Sequence, residues 1–260
     1  MPVSAADDIA IVLVRPQLAE NVGMAARAMA NCGLSSLRLV SPRSPLTGEA
    51  LSRAHAAAGR GGGVAGEILD GAESFDSLGA ALADRHEVWA TSARRRDFRQ
   101  VVCGPEEAAA EVRAFCGAGR ACAILFGPER TGLENDEIVR AGRVIRFPLA
   151  EGARSLNLAQ AVLLVSWCLW RSGDGAGADA FDPGEEPVCR GVLDGFLARL
   201  DEDLRACGYY PPTPTADVMR RTLEGFFARA GLTEQEVRSF EGVLRALAER
   251  RAVRRRSEDN

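Results

Sequence analysis

Lysine is absent from this sequence: all 32 residues of the Lys+Arg class are arginine. That removes the Gly-Lys-Ser/Thr ending of a phosphate loop, and no G-x-G-x-x-G dinucleotide fingerprint replaces it. Histidine is nearly absent. The 2 present, His55 and His86, lie in no recognisable motif, so a Ser-His-Asp reading fails and both are expected at the surface. The 7 cysteines are odd in number and scattered, and no C-x-x-C occurs. Neither a disulfide framework nor a zinc site follows. They read as reduced thiols filling the core, and no metal is expected. No apolar run reaches the ~18–20 residues of a membrane helix; the longest, near Leu156–Trp170, is interrupted by Gln160 and Ser166. Met1–Asp8 has no basic, apolar leader pattern. The expectation is a cytoplasmic protein with no membrane partner.

What is present is ordinary for a soluble globular chain: 260 residues, 47% hydrophobic and 26% charged, enough for one large or two modest domains. The net charge of −4 argues against attraction of nucleic acid by the whole surface. Local basic footprints remain, at Arg94-Arg95-Arg96 with Arg99 and along Arg250–Arg256.

Strand and helix signals alternate through Trp170, the pattern of a parallel α/β sheet covered on both faces. Strands are expected at Ile9–Val14, Ser36–Val40, Glu67–Leu69, Glu87–Thr91, Ala121–Phe126 and Val144–Phe147. Helices are expected from Asn21 to Cys32, Gly48 to Ala58, Ser74 to Ala83, Pro105 to Phe115, and after Ser155. The stretch Ser172–Pro187, rich in glycine, aspartate and proline, reads as a linker. Beyond it the pattern is purely helical: Val188–Cys207, Ala216–Ala230 and Thr233–Arg250.

Several residues are candidates for chemistry. Asn21, as N-cap beside Gly23, either only caps or leaves backbone N–H groups open to an anion, with Arg27 on the same helical face. Thr91-Ser92-Ala93 follows a strand end, where open α/β sheets bind ligands; a plain small-residue turn is the alternative. Glu129 and Arg130, between Gly127 and Gly132, suggest a loop folded on its own ion pair. Ser155 suits a helix cap.

Three motifs, taken in order, carry a resemblance: N-V-G-M-A-A-R-A-M-A-N-C-G at Asn21–Gly33, I-L-F-G-P-E-R-T-G-L at Ile124–Leu133, and F-P-L with S-L-N-L-A-Q-A at Phe147–Leu149 and Ser155–Ala161. Together they resemble the SPOUT class of RNA methyltransferases and, within it, the SpoU/TrmH branch of ribose 2'-O-methyltransferases. The start I-V-L-V-R-P, the T-S-A-R after the Glu87–Thr91 strand and the tail V-M-R-R-T-L-E-G-F-F-A-R-A are similar to the TrmJ subgroup, which acts on nucleotide 32 of the tRNA anticodon loop. Phe147 departs from the pattern, since many relatives carry an aliphatic residue there.

The resemblance implies a parallel α/β sheet with a C-terminal deep trefoil knot over residues 1–171, a linker over 172–187, and a small all-α tRNA-binding extension over 188–260. Periodicity could not have shown the knot, because connections are almost never knotted. The resemblance also implies S-adenosyl-L-methionine as cofactor, held by Thr91, Ser92, Ala93, Gly127, Phe147, Arg154, Ser155, Leu156 and Asn157. Arg27, Ser155 and Asn21 would be catalytic. Asn21, Arg27, Arg94, Arg95, Arg96, Arg220 and Arg221 would bind tRNA. A homodimer would place Arg27 of one subunit at the cofactor of the other. An arginine keeps its proton in proteins, so Arg27 is expected to stabilise an alkoxide rather than to act as base. Another tRNA position, ribosomal RNA, or a non-catalytic RNA-binding module are the alternatives.

Overall fold

The computed structural model describes residues 8–43, 45–59, 63–93, 100–153, 155–173 and 186–258, with side chains up to 248. Seven parallel strands form one sheet in the order β3-β2-β1-β6-β4-β7-β5. They are β1 Ile9–Val14, β2 Ser36–Val40, β3 Glu73–Phe75, β4 Glu87–Thr91, β5 Val101–Cys103, β6 Cys122–Phe126 and β7 Arg143–Ile145. The chain first steps outward from β1 to β3. It then crosses to β4 and β5, and β6 and β7 return between strands already laid down.

The unbroken apolar runs of β1 and β6 are what a strand buried on both faces requires; every residue of both is buried. Alternate side chains serve two cores. Ile9, Ile11 and Leu13 face a layer built from α1 (Ala19–Asn31), α2 (Gly48–Ala58), α3 (Gly63–Asp70), α5 (Pro105–Gly117) and α7 (Leu158–Arg171). Ala10, Val12 and Val14 face α4 (Leu78–Leu82) and α6 (Asn135–Ile138). Trp89 is fully buried in the first core, edge-on to Phe115 at 5.7 Å. After the linker the described elements are helices: α8 (Arg190–Ala206), α9 (Thr215–Ala230) and α10 (Glu234–Glu258), around Phe196, Phe227 and Val237.

Two expectations fail locally. Glu67–Leu69 is not a strand but the second half of α3. Ala65, Ile68 and Leu69 are among its buried residues, a helical i, i+3, i+4 spacing that a three-residue window could not reveal. Ser74 lies in β3, and the cap of α4 is Ser77, whose Oγ accepts from Ala80 N at 3.2 Å. The edge strand β5 is too short for a periodicity signal.

The histidines are half-buried rather than at the surface. His86 Nδ1 accepts the Ala121 N–H at 3.0 Å, and Nε2 faces Glu186 at 3.3 Å. His55 Nε2 lies 2.9 Å from Asp70. The cysteines behave as fillers: all are free, and four are buried. Burial pushes the Cys103 thiol up to about 11. A hydrogen bond with Cys116, with burial, raises Cys122 as well.

Candidate functional site

The C-terminal ends of β4, β6 and β7 open into a cavity of about 730 Å³, within the ~300–1,000 Å³ usual for small-molecule sites. Its walls unite sequence segments far apart in the chain: Thr91-Ser92-Ala93, the loop from Gly127 to Leu133, Phe147, and Ser155-Leu156. Seven of the nine residues expected at the cofactor thus share one cavity. Arg154 lies outside the described residues, and Asn157 does not line the cavity.

Gly127 is required by the path of its loop. A Cβ there would sit 2.2 Å from Leu133 N and 2.4 Å from Gly132 C, so any side chain would push the returning strand of the loop away. Gly132 has φ +66 and donates its N–H to Pro128 O at 2.8 Å, closing the turn. On the β4 side, Thr91 Oγ1 donates to Leu125 O at 2.9 Å, and Ser92 N–H donates to Ile145 O at 3.1 Å. These bonds tie the three strand ends that form the cavity floor.

Polar contacts with the β1–α1 turn hold the loop from outside. Glu129 accepts from Gln17 N–H at 3.1 Å and from Asn21 Nδ2 at 2.7 Å. The expected Glu129–Arg130 ion pair is therefore absent among the described residues: the carboxylate turns to α1 instead. Arg15, at φ +47, pairs with Glu134 at 3.0 Å and with Glu137. Left-handed backbone at a non-glycine residue costs on the order of 1 kcal/mol, which these charge-assisted bonds offset.

Asn21 is not the cap of α1. The helix starts at Ala19 behind Leu18, and Asn21 sits inside the first turn, 4% exposed. While Nδ2 serves Glu129, Oδ1 accepts from Asn157 Nδ2 at 3.3 Å. Asn157 in turn caps α7, its Oδ1 accepting from Ala159 N–H at 2.9 Å. A buried carboxamide engaged at both ends joins the Glu129 loop to the start of α7. That geometry gives Asn21 a positioning task. Asn157 likewise performs the capping expected of Ser155, which lies before the helix, exposed on the cavity wall. Relieved of capping, the Ser155 hydroxyl makes no hydrogen bond among the described residues.

A Cβ on Gly23 would lie 2.0 Å from Ala54 O, so this glycine permits the close approach of α1 and α2. Arg27 follows one turn later with its guanidinium near Gly59 at the end of α2. It is exposed, makes no hydrogen bond or ion pair among the described residues, and does not line the cavity of its own chain.

Of the expected RNA contacts, Arg94, Arg95 and Arg96 lie outside the described residues. Arg220 and Arg221 are paired within the chain, to Glu224 and Asp136. The role of Glu129 was missed; its position shortly before the acidic helix start gave no hint of a partner more than one hundred residues away. No group of three or more His, Cys, Asp or Glu suited to a metal occurs among the described residues.

Comparison with known proteins gives a consistent result. Residues 8–167 match the SpoU rRNA Methylase family, and residues 192–258 match the C-terminal domain of the tRNA methyltransferase TrmJ. The tRNA (cytidine/uridine/adenosine-2'-O-)-methyltransferase TrmJ of Pseudomonas aeruginosa is 32% identical over 92% of this chain and 93% of its own. The tRNA (cytidine/uridine-2'-O-)-methyltransferase TrmJ of Cronobacter sakazakii is 32% identical over 92% of this chain and 96% of its own. The crystal structure of TrmJ from Z. mobilis ZM4 superposes with a TM-score of 0.79 at 36% identity, covering 92% of this chain and 98% of that one.

Proposed function

The chain belongs to the SpoU rRNA Methylase family, and on that premise we propose that it methylates the ribose 2'-hydroxyl of nucleotide 32 in tRNA, using S-adenosyl-L-methionine. The observation that carries this is the cavity at the ends of β4, β6 and β7, which gathers Thr91, Ser92, Ala93, Gly127, Phe147, Ser155 and Leu156.

The residues suit that cofactor. Phe147, Leu156, Phe126 and Leu133 offer apolar walls for an adenine ring, while hydroxyls and backbone groups of Thr91–Ala93 and the Gly127 loop offer polar partners. Bound there, the cofactor supplies an electrophilic methyl group. The chain's own residues then have separable tasks. Asn21, through Glu129 and Asn157, fixes the loop and the start of α7 so that Ser155 faces the reacting centre. Ser155 orients the ribose hydroxyl. Arg27, exposed and unpaired among the described residues, stabilises the alkoxide as it develops.

Because Arg27 does not reach the cavity of its own chain, the site is completed by a homodimer. An exposed apolar face on α7 supports this: Leu163, Leu164, Trp167 and Trp170, the two indoles 5.1 Å apart, next to Met24 on the neighbouring α1. The return of β6 and β7 between earlier strands, with α7 packed back on α1, is the path a trefoil knot would take. Residues 1–171 form the methyltransferase domain, 172–187 the linker, and 188–260 the extension that enlarges the tRNA footprint in the cytoplasm. Residues 174–185 lie outside the described residues.

The test is 2'-O-methyl mapping of RNA from a strain lacking the gene, with methylation of the same RNA by the purified protein. Loss confined to tRNA nucleotide 32 is expected. Loss at another tRNA position or in ribosomal RNA would move the target. No loss, together with no cofactor binding by calorimetry, would leave a non-catalytic RNA-binding module.

A further inference from the structure

Arginine is the only strongly basic side chain in this protein, so each one is either committed to a carboxylate or available to an external anion. Those on the helices and at the sheet's far end are largely committed: Arg38 to Asp84, Arg140 to Asp194, Arg143 to Glu111, Arg220 to Glu224 and Arg221 to Asp136. An arginine in such a pair must give up its partner before it can take a phosphate. Arg43 and Arg130 are different. Both are exposed, and neither side chain has a hydrogen bond or ion pair among the described residues.

Arg130 lies on the cavity wall, and Arg43 lies beside the β1–α1 turn, whose Gln17 and Asn21 hold the cavity loop through Glu129. Arg43 follows β2, and its backbone N–H donates to Pro16 O at 3.2 Å. The residue after Pro16, Gln17, donates its N–H to Glu129, the neighbour of Arg130. Both arginines therefore adjoin the same β1–α1 turn. The carboxylate closest in sequence, Glu129, is occupied by Gln17 and Asn21 and leaves Arg130 unneutralised. Arg130 also lines the cavity itself.

We propose that Arg43 and Arg130 hold backbone phosphates of the substrate RNA beside the β1–α1 turn, and so set the register of the target ribose over the cavity. This inference rests on the reading of tRNA as substrate. Phosphate contacts position a nucleic acid without reading its sequence, and each one displaces a counterion, which makes its contribution measurable through salt.

The experiment measures tRNA affinity of the full-length protein between about 50 and 200 mM salt, for wild type, Arg43→Gln, Arg130→Gln and the double variant. Arg140→Gln, which removes an equal charge from an arginine paired with Asp194 away from the cavity and outside the helical extension, is the control. Removing a single phosphate-binding arginine should lower the slope of log K against log salt by roughly 0.7–0.9, and the double variant should lower it by about the sum. Arg43→Lys should keep the wild-type slope, while Arg140→Gln should leave it unchanged. Cofactor affinity, measured by calorimetry, should be unaltered in both glutamine variants. A wild-type slope in the double variant, or an equal drop in Arg140→Gln, overturns the inference and leaves the substrate reading intact. Arg130→Gln that loses cofactor affinity but keeps the slope overturns it for Arg130, which would then serve the cofactor. A wild-type protein with no salt-dependent tRNA binding overturns both.

Discussion

The two ends of the sheet handle charge in opposite ways. Past the C-terminal ends of the strands some cations stand free: Arg130 on the cavity wall and Arg43 beside the β1–α1 turn are exposed and unpaired among the described residues, as is Arg27 on α1. At the N-terminal end, α8 and α9 dock on the starts of β4 and β7, and charges are buried and matched. Arg190 is 5% exposed; its backbone N–H donates to Arg85 O at 2.9 Å and its Nη2 to Ala228 O at 3.2 Å. It faces Glu87, 7% exposed, whose carboxyl is raised by burial against the pull of Arg190, Arg143 and Arg120. The same side chain therefore does two jobs in one protein. Desolvated and matched, arginine fastens a helical unit to a sheet; hydrated and unmatched, it waits for an anion.

That contrast can be broken at its strongest point first. Arg190→Ala removes the Nη2 bond to Ala228 O and the nearby positive charge that partly compensates buried Glu87; losing the partner of a buried polar group costs about 1–3 kcal/mol, more for a charged one. Because the Glu87 carboxyl is already raised, its protonated form is the one the fold favours. Stability contributed by that proton is full below the ordinary carboxylate value of 4.5 and is lost as pH rises through the raised value. The defect of Arg190→Ala should therefore be larger at neutral than at acidic pH in denaturant titrations. Equal defects at both would show that Glu87 is not the group left behind.

Among the unpaired arginines, Arg27→Ala should lower kcat by about 10²–10³-fold, the usual cost of one transition-state donor. Its melting temperature should not move, since an exposed, unpaired side chain is within about 0.5 kcal/mol of neutral for stability. A variant that melts early would place Arg27 with the structural arginines. The smallest effect is expected at Asp84, which takes both Nη atoms of buried Arg38 at 2.6 and 2.8 Å. That hydrogen bonding holds the Asp84 carboxyl well below its ordinary 3.8. The stability it contributes is present above that ordinary value and lost as pH falls through the lowered one. Asp84 is half exposed, so solvent screening limits the cost of Asp84→Asn to about 1 kcal/mol at neutral pH. The gap between variant and wild type should close as acid protonates Asp84.

The elements carrying the site were largely legible in the residues. β1, β2, β4 and α2 fall where apolar runs and turn residues place them, because a run such as Ile9–Val14 has nowhere to go but a doubly covered sheet. The three motifs around Asn21, Gly127 and Ser155 marked segments that the fold brings together. Their individual roles were not legible. Asn21 as cap and Ser155 as cap were each sound local chemistry, and each gave way: Asn21 to a helix start at Ala19 and to bonds with the remote Glu129 and Asn157, Ser155 to the cap that Asn157 provides for α7.

What residue order settled, then, was the repertoire: no lysine, no histidine motif, an α/β layer up to Trp170, and helices beyond Val188. Tertiary structure decided the assignments. A side chain's local preference is worth about 1 kcal/mol, whereas a buried amide or carboxylate left without a partner costs more than that. Where the two compete, as at Asn21, the distant partner prevails, and only the folded chain shows which one it is.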